Sequence, residues 1–296
     1  MNEQPKATQD VPKQRYELGT GVVAMQREAD VVVVEEPLEI ALCWTDAAGE
    51  EQRRVFTITM RTPGDDRELA LGLLHSEGLL NSPDQVSDCR YSGKAGPGEH
   101  NVLDVYLTSG NVPDLASVQR NLVTQSSCGV CGKTSLQSVE MMAPPASDSD
   151  KAWLAPGVVA ALADAMRARQ VQFLKTGGLH AAGLFSTAGE LLLLREDIGR
   201  HNALDKLVGA DRYGVNDASS AGKRIVMLSG RISFELVQKA VMAALPVVAA
   251  VGAPSSLAIS LAQRFDITLI GFAGEGGFSV YSGQQRLRRE RVEGMT

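Results

Sequence analysis

The feature that most constrains the fold is a regular alternation of helix-like and strand-like segments between residues 156 and 272. The helix-like segments are PGVVAALADAMRARQ, GRHNALDKLVG, SFELVQKAVMAA and SSLAISLAQRF. The strand-like segments are HAAGLFS, ELLLLRE, RIVMLSG, PVVAAVG and ITLIGF, of which the first two are predicted to form a hairpin across TAG. Strands that alternate with helices of this length indicate a mostly parallel sheet with helices on both faces. We therefore predict an α/β domain over residues 151–282.

A different pattern comes before this domain. VVVVEEPLEIALCW and RRVFTITM predict one strand pair, and QVSDCRYS and NVLDVYLTS predict another. The helix expected between them lies in RTPGDDRELALGLLHSEGLL, with Asp65 as its N-cap and Glu68 completing a capping pattern. Hairpin, helix and hairpin make a smaller α+β domain over residues 21–125.

The remaining segments are assigned by composition. The polar, proline-containing residues 1–20 are expected to form a disordered tail. Residues 126–150 hold a cysteine loop and the connector APPASDSD, and the basic residues 283–296 are expected to be a solvated tail.

Charge and composition limit the partners of the chain. A net charge of −6 argues against a nucleic-acid binder, which needs a basic surface. The stretch MNEQPKATQDVPKQRYELG has no apolar signal-peptide core, and the apolar run 240–253 is too short to cross a bilayer. Four cysteines in 296 residues are no disulfide framework. A cytoplasmic protein with reduced thiols and no membrane partner is expected.

Several kinds of site would use the stretch SSCGVCGK, residues 126–133. A structural zinc site needs four ligands, usually from two such pairs, and no second cysteine pair exists, so no metal is predicted. A phosphate loop would need glycine where Ser127 stands. Thiol chemistry remains, because Lys133 and a possible helix over KTSLQSVEMM would stabilise thiolates at Cys128 and Cys131. A loop with incidental cysteines is the alternative.

The other two cysteines have a different setting. Cys43 and Cys89 each lie inside a strand-like run. Burial as small apolar side chains is the expected fate of isolated cysteines in strands.

Two stretches at predicted strand-to-helix junctions, EDIGRHNALDK (196–206) and LSGRISFE (228–235), are candidates for ligand binding. Open α/β sheets bind ligands at the carboxyl ends of strands, beside helix N-termini. The side chains there that could bind an anion such as phosphate are Arg200, His201, Ser229, Arg231 and Ser233. The alternative is helix capping by Asp197 and Ser229 with solvated arginines. The glycine-rich GFAGEGGFSVY (271–281) is predicted as a loop on the same edge.

Seven segments, taken in order, resemble the formate dehydrogenase accessory sulfurtransferase family (FdhD). They are RTPGDDRELALGLLHSEGLL, SSCGVCGK, TGGLHAAGLF, EDIGRHNALDK, SGRISFELVQKA, GAPSSLAISLA and TLIGFAGEGGFSVY. The resemblance extends from about Val31 to Tyr281. It implies a carrier that takes persulfide sulfur from a cysteine desulfurase. It also implies that the sulfur passes to the molybdenum bis(molybdopterin guanine dinucleotide) cofactor of formate dehydrogenase.

The resemblance also implies roles for particular residues. Cys128 would be the persulfide carrier, with Cys131 beside it. The cofactor-binding segment would be Phe272, Ala273, Gly274, Glu275, Gly276 and Gly277. Many family members have an arginine within this segment, where this chain has only small, aromatic and acidic residues. A homodimer is implied as well.

The resemblance further implies that the C-terminal domain has a three-layer, cytidine deaminase-like fold. Deaminases place zinc ligands at two helix starts, in the patterns H-x-E and P-C-x-x-C. The matching stretches here are His201-Asn202-Ala203 and Ser229-Gly230-Arg231-Ile232-Ser233, which lack the glutamate and both cysteines. The zinc chemistry is therefore expected to be absent. The pocket is expected to bind a guanine nucleotide, as a fragment of the larger cofactor.

The sequence leaves three functional hypotheses open. In the first, the chain is a sulfurtransferase in which Cys128 carries sulfur and Cys131 assists its release. In the second, it is a cofactor-binding chaperone for formate dehydrogenase whose cysteines are dispensable. The third, a thiol–disulfide oxidoreductase, requires a strand directly before the C-x-x-C pair, and LVTQSS fits that requirement poorly.

Overall fold

The computed structural model describes residues 6–18, 23–94, 99–111, 152–214 and 223–289. In these parts of the chain the strands form a two-stranded ribbon, a four-stranded sheet and a six-stranded sheet. No helix in them has both the length and the apolar character needed to cross a membrane. The predicted cysteine loop and connector over 126–150, with Cys128 and Cys131, lie outside the described residues.

The N-terminal ribbon corrects the prediction of a disordered tail. β1 (Thr8–Leu18) pairs antiparallel with β2 (Val23–Val33), so most of residues 1–20 belongs to a strand. The strand was missed because β1 is polar along its length and lacks the apolar alternation that marks a half-buried strand. Its polar side chains pair across the ribbon instead, where Lys13 lies between Glu28 and Asp30.

The N-terminal domain contains a hairpin, a helix and a second hairpin. The elements are β3 (Glu36–Thr45), β4 (Glu51–Arg61), α1 (Asp66–Ser76), β5 (Val86–Tyr91) and β6 (Val102–Leu107). The sheet order is β4-β3-β6-β5, with β3 and β6 parallel. The apolar face of α1 covers this sheet, and its residues Leu69 and Leu74 are fully buried there.

The start of α1 differs from the predicted capping pattern. Asp65 is the N-cap residue, but its side chain makes no capping hydrogen bond, and its backbone is left-handed. Glu68 accepts from Arg195 Nη2 at 2.7 Å instead of closing a capping box. The acidic side chains therefore join the two domains rather than cap the helix.

Helices and strands alternate through the C-terminal domain. The helices are α2 (Pro156–Arg167), α3 (Val171–Thr176), α4 (Arg200–Tyr213), α5 (Phe234–Met242) and α6 (Ser256–Arg264). The strands are β7 (His180–Phe185), β8 (Leu191–Asp197), β9 (Ile225–Leu228), β10 (Val247–Ala250), β11 (Thr268–Gly274) and β12 (Gly277–Ser282).

The sheet of this domain is mixed, whereas the sequence predicted a mostly parallel one. Its order is β12-β11-β10-β9-β7-β8, and only the β9–β10 and β10–β11 pairs are parallel. β7 is antiparallel to β8 and β9, and β12 is antiparallel to β11. The connections within β7–β8 and β11–β12 are too short for a crossover, so these strands can only reverse direction.

Helices cover both faces of this sheet. Apolar residues of α4, α5 and α6 pack on one face, and those of α2 pack on the other together with Trp153 and Leu154. The likeness to cytidine deaminases stays a prediction.

The segment after β12 also differs from the predicted solvated tail. Arg286 is buried and donates from Nη2 to Asp266 Oδ2 at 2.7 Å. The backbone of residues 285–288 exchanges hydrogen bonds with Ala152 and Leu154, just before α2. These residues form a clasp (285–288) that holds the start of α2.

The two domains meet where α1 crosses α4, and we call this contact the domain seam. A Cβ atom added to Gly72 would lie 1.8 Å from the carbonyl oxygen of Asp205, and one added to Gly209 would lie 1.9 Å from that of Glu68. Only glycine permits so close an approach of two helix backbones. The seam fixes α4, and therefore its N-terminal residues, relative to both domains.

Buried ion pairs accompany the seam. Lys239 Nζ lies 2.8 Å from both carboxylate oxygens of Asp205, which also accepts from Ser76 Oγ at 2.9 Å. Lys206 Nζ lies 2.8 Å from Asp197 Oδ2 and donates to the carbonyl of Thr62 at 2.8 Å. Each of these buried charges therefore lies beside an opposite charge.

Candidate functional site

One edge of the six-stranded sheet gathers most of the predicted site residues. β8, β9 and β10 end there, and α4, α5 and α6 begin there. We call the connecting residues 197–202, 229–235 and 251–256, together with 271–274 at the end of β11, the carboxyl edge. Gly252 joins three of these segments, because its N–H donates to Gly230 and its carbonyl accepts from Phe272 N–H at 3.3 Å. The segments therefore form one continuous surface.

His201 is bound to the start of the next helix. Its Nε2 lies 3.2 Å from Ser233 Oγ and 2.9 Å from Glu235 Oε2. The hydrogen bond from His201 lowers the pKa of Glu235, against the raising effect of burial. Sequence reasoning found His201 and Ser233 but missed Glu235, whose only signal was an acidic side chain in the first turn of α5.

Ser229 faces a histidine that the sequence did not single out for this site. Ser229 Oγ accepts from Ala181 N–H at 2.8 Å and lies 3.4 Å from His180 Nδ1. Burial lowers the pKa of His180, and the positive charges of Arg200 and His201 lower it further. His180 reaches this edge because β7 runs opposite to β8, as the predicted hairpin requires, and opposite to β9.

The two arginines of the predicted anion site differ in setting. Arg200 is half-buried at the first position of α4, and its charge acts on both His180 and Glu235. Arg231 is exposed on the loop between β9 and α5. The capping alternative is not what the structure has, because Asp197 is buried against Lys206, and the N-cap residue of α5 is Ser233, whose side chain makes no capping hydrogen bond. The residues of this edge are therefore free of capping roles at α5.

The segment 272–277 is a hairpin turn rather than the predicted glycine-rich loop. β11 continues through Gly274, which pairs with Gly277 at the start of β12, so Glu275 and Gly276 form the turn. Phe272 is 55% exposed and has a left-handed backbone with φ 56°. A bulky residue in that conformation is uncommon and strained, and such residues gather at functional sites.

A cavity of about 320 Å³ opens beside His180 at the carboxyl edge. It is lined by Arg167, Gln170, Phe173, Gly177, Gly178, Leu179, His180, Ile198 and Ser229. The Arg167 guanidinium lies over the ring of Phe173, 4.1 Å from its centre. Its residues come from the C-terminal end of α2, from α3 and its flanking residues, and from the ends of β7, β8 and β9, so no single sequence segment indicated it.

The thiols in the described part of the chain are poor nucleophiles. Cys43 in β3 is buried, and burial raises its pKa. Burial also raises the pKa of Cys89, in β5, to about 12. Both are free thiols, and both are protonated at neutral pH.

A metal site needs several donor side chains gathered around one point. In the described ranges, no group of three or more His, Cys, Asp or Glu side chains could hold a metal ion. The absence of zinc from the whole protein stays a prediction, because Cys128 and Cys131 lie outside these ranges.

Comparisons with known proteins agree with one another. The family model described as the FdhD/NarQ family matches residues 33–288. A protein named Sulfur carrier protein FdhD from Streptomyces avermitilis is 46% identical over 269 residues, covering 89% of this chain and 91% of the relative. One of the same name from Sulfurisphaera tokodaii is 38% identical over 260 residues, covering 88% and 92%.

The fold also has a counterpart among solved structures. A crystal structure described as a formate dehydrogenase accessory protein from Desulfotalea psychrophila matches with a TM-score of 0.65 and 22% identity. The match covers 94% of this chain and 99% of that one. At this level of identity the match shows a shared fold.

Proposed function

The chain belongs to the FdhD/NarQ family, as its sequence predicted, and we propose that it is a sulfur carrier with sulfurtransferase activity. It accepts persulfide sulfur from a cysteine desulfurase. It transfers that sulfur to molybdenum bis(molybdopterin guanine dinucleotide), which is its substrate, for use by formate dehydrogenase. The name of the curated relatives supports the sulfur-carrying part of this proposal.

The raised pKa values of the two described thiols are the reason for our choice of nucleophile. Sulfur transfer needs a thiolate, and the pKa values of Cys43 and Cys89 are both raised by burial. The chain has four cysteines, so Cys128 and Cys131 remain. Lys133 follows them in sequence and favours the thiolate form.

The proposed acceptance step is an exchange that needs no external oxidant. The Cys128 thiolate attacks the outer sulfur of the desulfurase persulfide, one S–S bond forms, and another breaks. The desulfurase cysteine leaves as a thiolate. For delivery, the Cys131 thiolate attacks the inner sulfur of the Cys128 persulfide, so that sulfide leaves and a Cys128–Cys131 disulfide forms. A cellular dithiol then reduces this disulfide.

The carboxyl edge has the chemistry to hold the arms of this substrate. Each guanine dinucleotide arm carries a pyrophosphate, and Arg200, Arg231 and the helix N-termini supply positive charge for such groups. His201 and Ser233 add hydrogen-bond donors beside them. The exposed ring of Phe272 supplies a surface for stacking. This edge is our proposed binding region for the cofactor.

The direct test of sulfur transfer is intact mass after incubation with a cysteine desulfurase and cysteine. The wild-type protein should gain sulfur on a peptide that contains Cys128. Cys128→Ala should abolish the gain, Cys131→Ala should leave part of it, and the control Cys89→Ala should leave it complete. Sulfur that accumulates on Cys128→Ala protein would refute this assignment.

A cofactor chaperone is the second candidate function. The observation that favours it is that the described residues 197–202, 229–235 and 271–274 already gather cationic, hydroxyl and aromatic side chains suited to a nucleotide. A Cys128→Ala protein that binds the cofactor and still matures formate dehydrogenase would establish this alternative. The homodimer implied by the family is part of both proposals, and light scattering of the purified protein tests it.

A further inference from the structure

The ribbon formed by β1 and β2 has one charged face and one largely apolar face. Residues that pair across two strands share a face, and successive residues of one strand point to opposite faces. Lys13 pairs in register with Glu28, and its ammonium group lies 3.4 Å from that carboxylate and 3.2 Å from Asp30 on the same face. The opposite face, which we call the apolar face, carries Asp10, Pro12, Gln14, Tyr16, Met25, Arg27, Ala29 and Val31.

The apolar face is open to solvent. Tyr16 is 58% exposed, and Met25, which lies opposite it in register, is 48% exposed. Pro12 and Ala29 form another cross-strand pair on this face and are exposed as well. A two-stranded ribbon has no second layer of its own, and such ribbons are only marginally stable in water unless they pack against something. The apolar face is therefore suited to a packing partner.

Two charges on the apolar face have no counterpart among the described residues. Asp10 and Arg27 lie one cross-strand pair to either side of Pro12, and neither forms an ion pair within the described chain. On the charged face, by contrast, Arg15 Nε lies 3.6 Å from a carboxylate oxygen of Glu17. Opposite charges at equal distances from one point are the pattern that a two-fold contact between identical surfaces can pair.

We propose that the apolar face is a self-association surface, on which a second copy of this chain packs its own apolar face about a two-fold axis at Pro12. A two-fold contact brings the same pair of residues together twice. Arg27 of each copy then lies within reach of Asp10 of the other. This inference goes beyond sulfur transfer, and it rests on the homodimer of the proposed function because it gives that dimer a contact surface.

The base of the ribbon supplies further apolar surface for the same contact. Helix α3 packs against β2 there, and a Cβ atom added to Gly178 would lie 3.4 Å from Val33. The exposed fraction of Val171 in α3 is 56%, and that of Leu174 is 63%. The two-fold axis directs the outer end of one ribbon, with Tyr16, toward the base of the other ribbon. Exposed apolar side chains of the two copies are therefore brought together.

The area of the apolar face sets the expected strength of the contact. Each strand has 11 residues. At about 3.4 Å per residue and about 4.8 Å per strand, one face of the ribbon covers roughly 360 Å². A standard interface buries about 800 Å² on each partner. The ribbon contact is smaller, so we expect a weak, reversible dimer with a dissociation constant on the order of 10 μM.

Sedimentation velocity of the full-length protein over a range of concentrations tests the proposal. The variants are Asp10→Arg, Arg27→Asp and the double variant Asp10→Arg/Arg27→Asp, which exchanges the two charges. The matched control is Arg15→Asp, which makes the same change of charge on the charged face. All three positions are exposed, so every variant should keep the circular dichroism spectrum of the wild type.

The wild type should dimerise reversibly. Each single charge reversal should weaken the dimer about tenfold, because it places like charges against each other at two positions. The double variant should return to within about threefold of the wild type, and Arg15→Asp should stay within about twofold. A wild type that is monomeric at every concentration, or a double variant as weak as the single ones, would overturn the contact.

The same proteins separate this inference from the proposed function. A dimer that is equally strong in every variant refutes the ribbon contact and leaves the homodimer and sulfur transfer standing. A dimer that follows the charge exchange, in a protein that takes up no sulfur on Cys128, supports the ribbon contact and refutes sulfur transfer.

Discussion

The domain seam and the carboxyl edge share helix α4, but charged side chains are buried and paired in the seam and partly exposed at the edge. In the middle of α4, Asp205 and Lys206 are almost fully buried; each pairs with an opposite charge, Lys239 or Asp197, and each makes a hydrogen bond across the seam. At the N-terminus of α4, Arg200 and His201 are only half-buried and face the surface. One turn of helix therefore separates charges that serve the fold from charges that are available to a ligand.

This difference predicts which mutations should reduce stability and which should reduce ligand binding. A charge that is buried with its partner has already lost its hydration, so removal of the partner leaves an uncompensated buried charge. A charge at an open edge keeps most of its hydration, so its removal changes stability little. Changes in the seam should therefore reduce stability, and changes at the edge should reduce binding.

The largest expected effect comes from breaking a buried pair in the seam. Lys239→Met removes the cation opposite Asp205 and should lower the free energy of unfolding by about 3–5 kcal/mol, measured by urea denaturation. The double variant Lys239→Met/Asp205→Leu should recover part of this loss. A single variant within about 1 kcal/mol of the wild type would show that the seam charges resemble those of an exposed surface.

The next effect comes from the close helix crossing. Gly72→Ala places a Cβ 1.8 Å from the carbonyl of Asp205 and should destabilise the protein by about 1–3 kcal/mol, although alanine favours helix. Gly157→Ala is the matched control in α2, because a Cβ there meets nothing within 4 Å. It should be neutral or stabilising. Equal effects of the two changes in urea denaturation would contradict the seam geometry.

A pH titration of stability sharpens the same comparison. His75 in the seam lies 3.0 Å from Tyr213 Oη and 3.1 Å from the carbonyl of Met242, and burial lowers its pKa below 6.5. The unfolded chain therefore binds a proton before the folded chain does, and stability should fall as the pH drops below 6.5. His75→Gln should flatten this slope. If the slope of stability against pH is the same in the variant, other titrating groups cause the loss of stability.

The smallest effect on stability is expected at the edge. Glu235→Gln should change the free energy of unfolding by less than about 0.5 kcal/mol. The pKa of Glu235 is lowered by His201, so this contribution is present above pH 4.5 and is lost as the pH falls through the folded value. GDP affinity should change in the variant, because His201 loses its anionic partner. A large loss of stability would place Glu235 with the seam residues.

The same contrast explains how much the sequence could predict. Hydrophobic periodicity predicts helices with an apolar stripe, such as α2 and α5, and runs of apolar residues predict the strands β9 to β11. β1 did not, because a ribbon exposed on both faces needs no apolar alternation. The sequence predicts a loop where Glu275 and Gly276 form a hairpin turn, because a glycine-rich turn and a glycine-rich loop have the same composition.

Site residues divide along a similar line. His201 and Ser233 were predicted, since each stands at a strand-to-helix junction that sequence order reveals. His180 and Glu235 were missed as members of this site. Their positions depend on strand direction and on contacts between the starts of two helices. Such properties exist only in three dimensions, and no local pattern encodes them.

The clasp at residues 285–288 affects how the C-terminal domain folds during synthesis on the ribosome. It fastens Leu154 through hydrogen bonds from residues that the ribosome adds roughly 130 positions later. At usual rates of translation, on the order of ten seconds therefore pass between the synthesis of Leu154 and that of the residues that bond to it. A nascent chain stalled before Gln285 would therefore lack the hydrogen bonds that hold Ala152 and Leu154 ahead of α2.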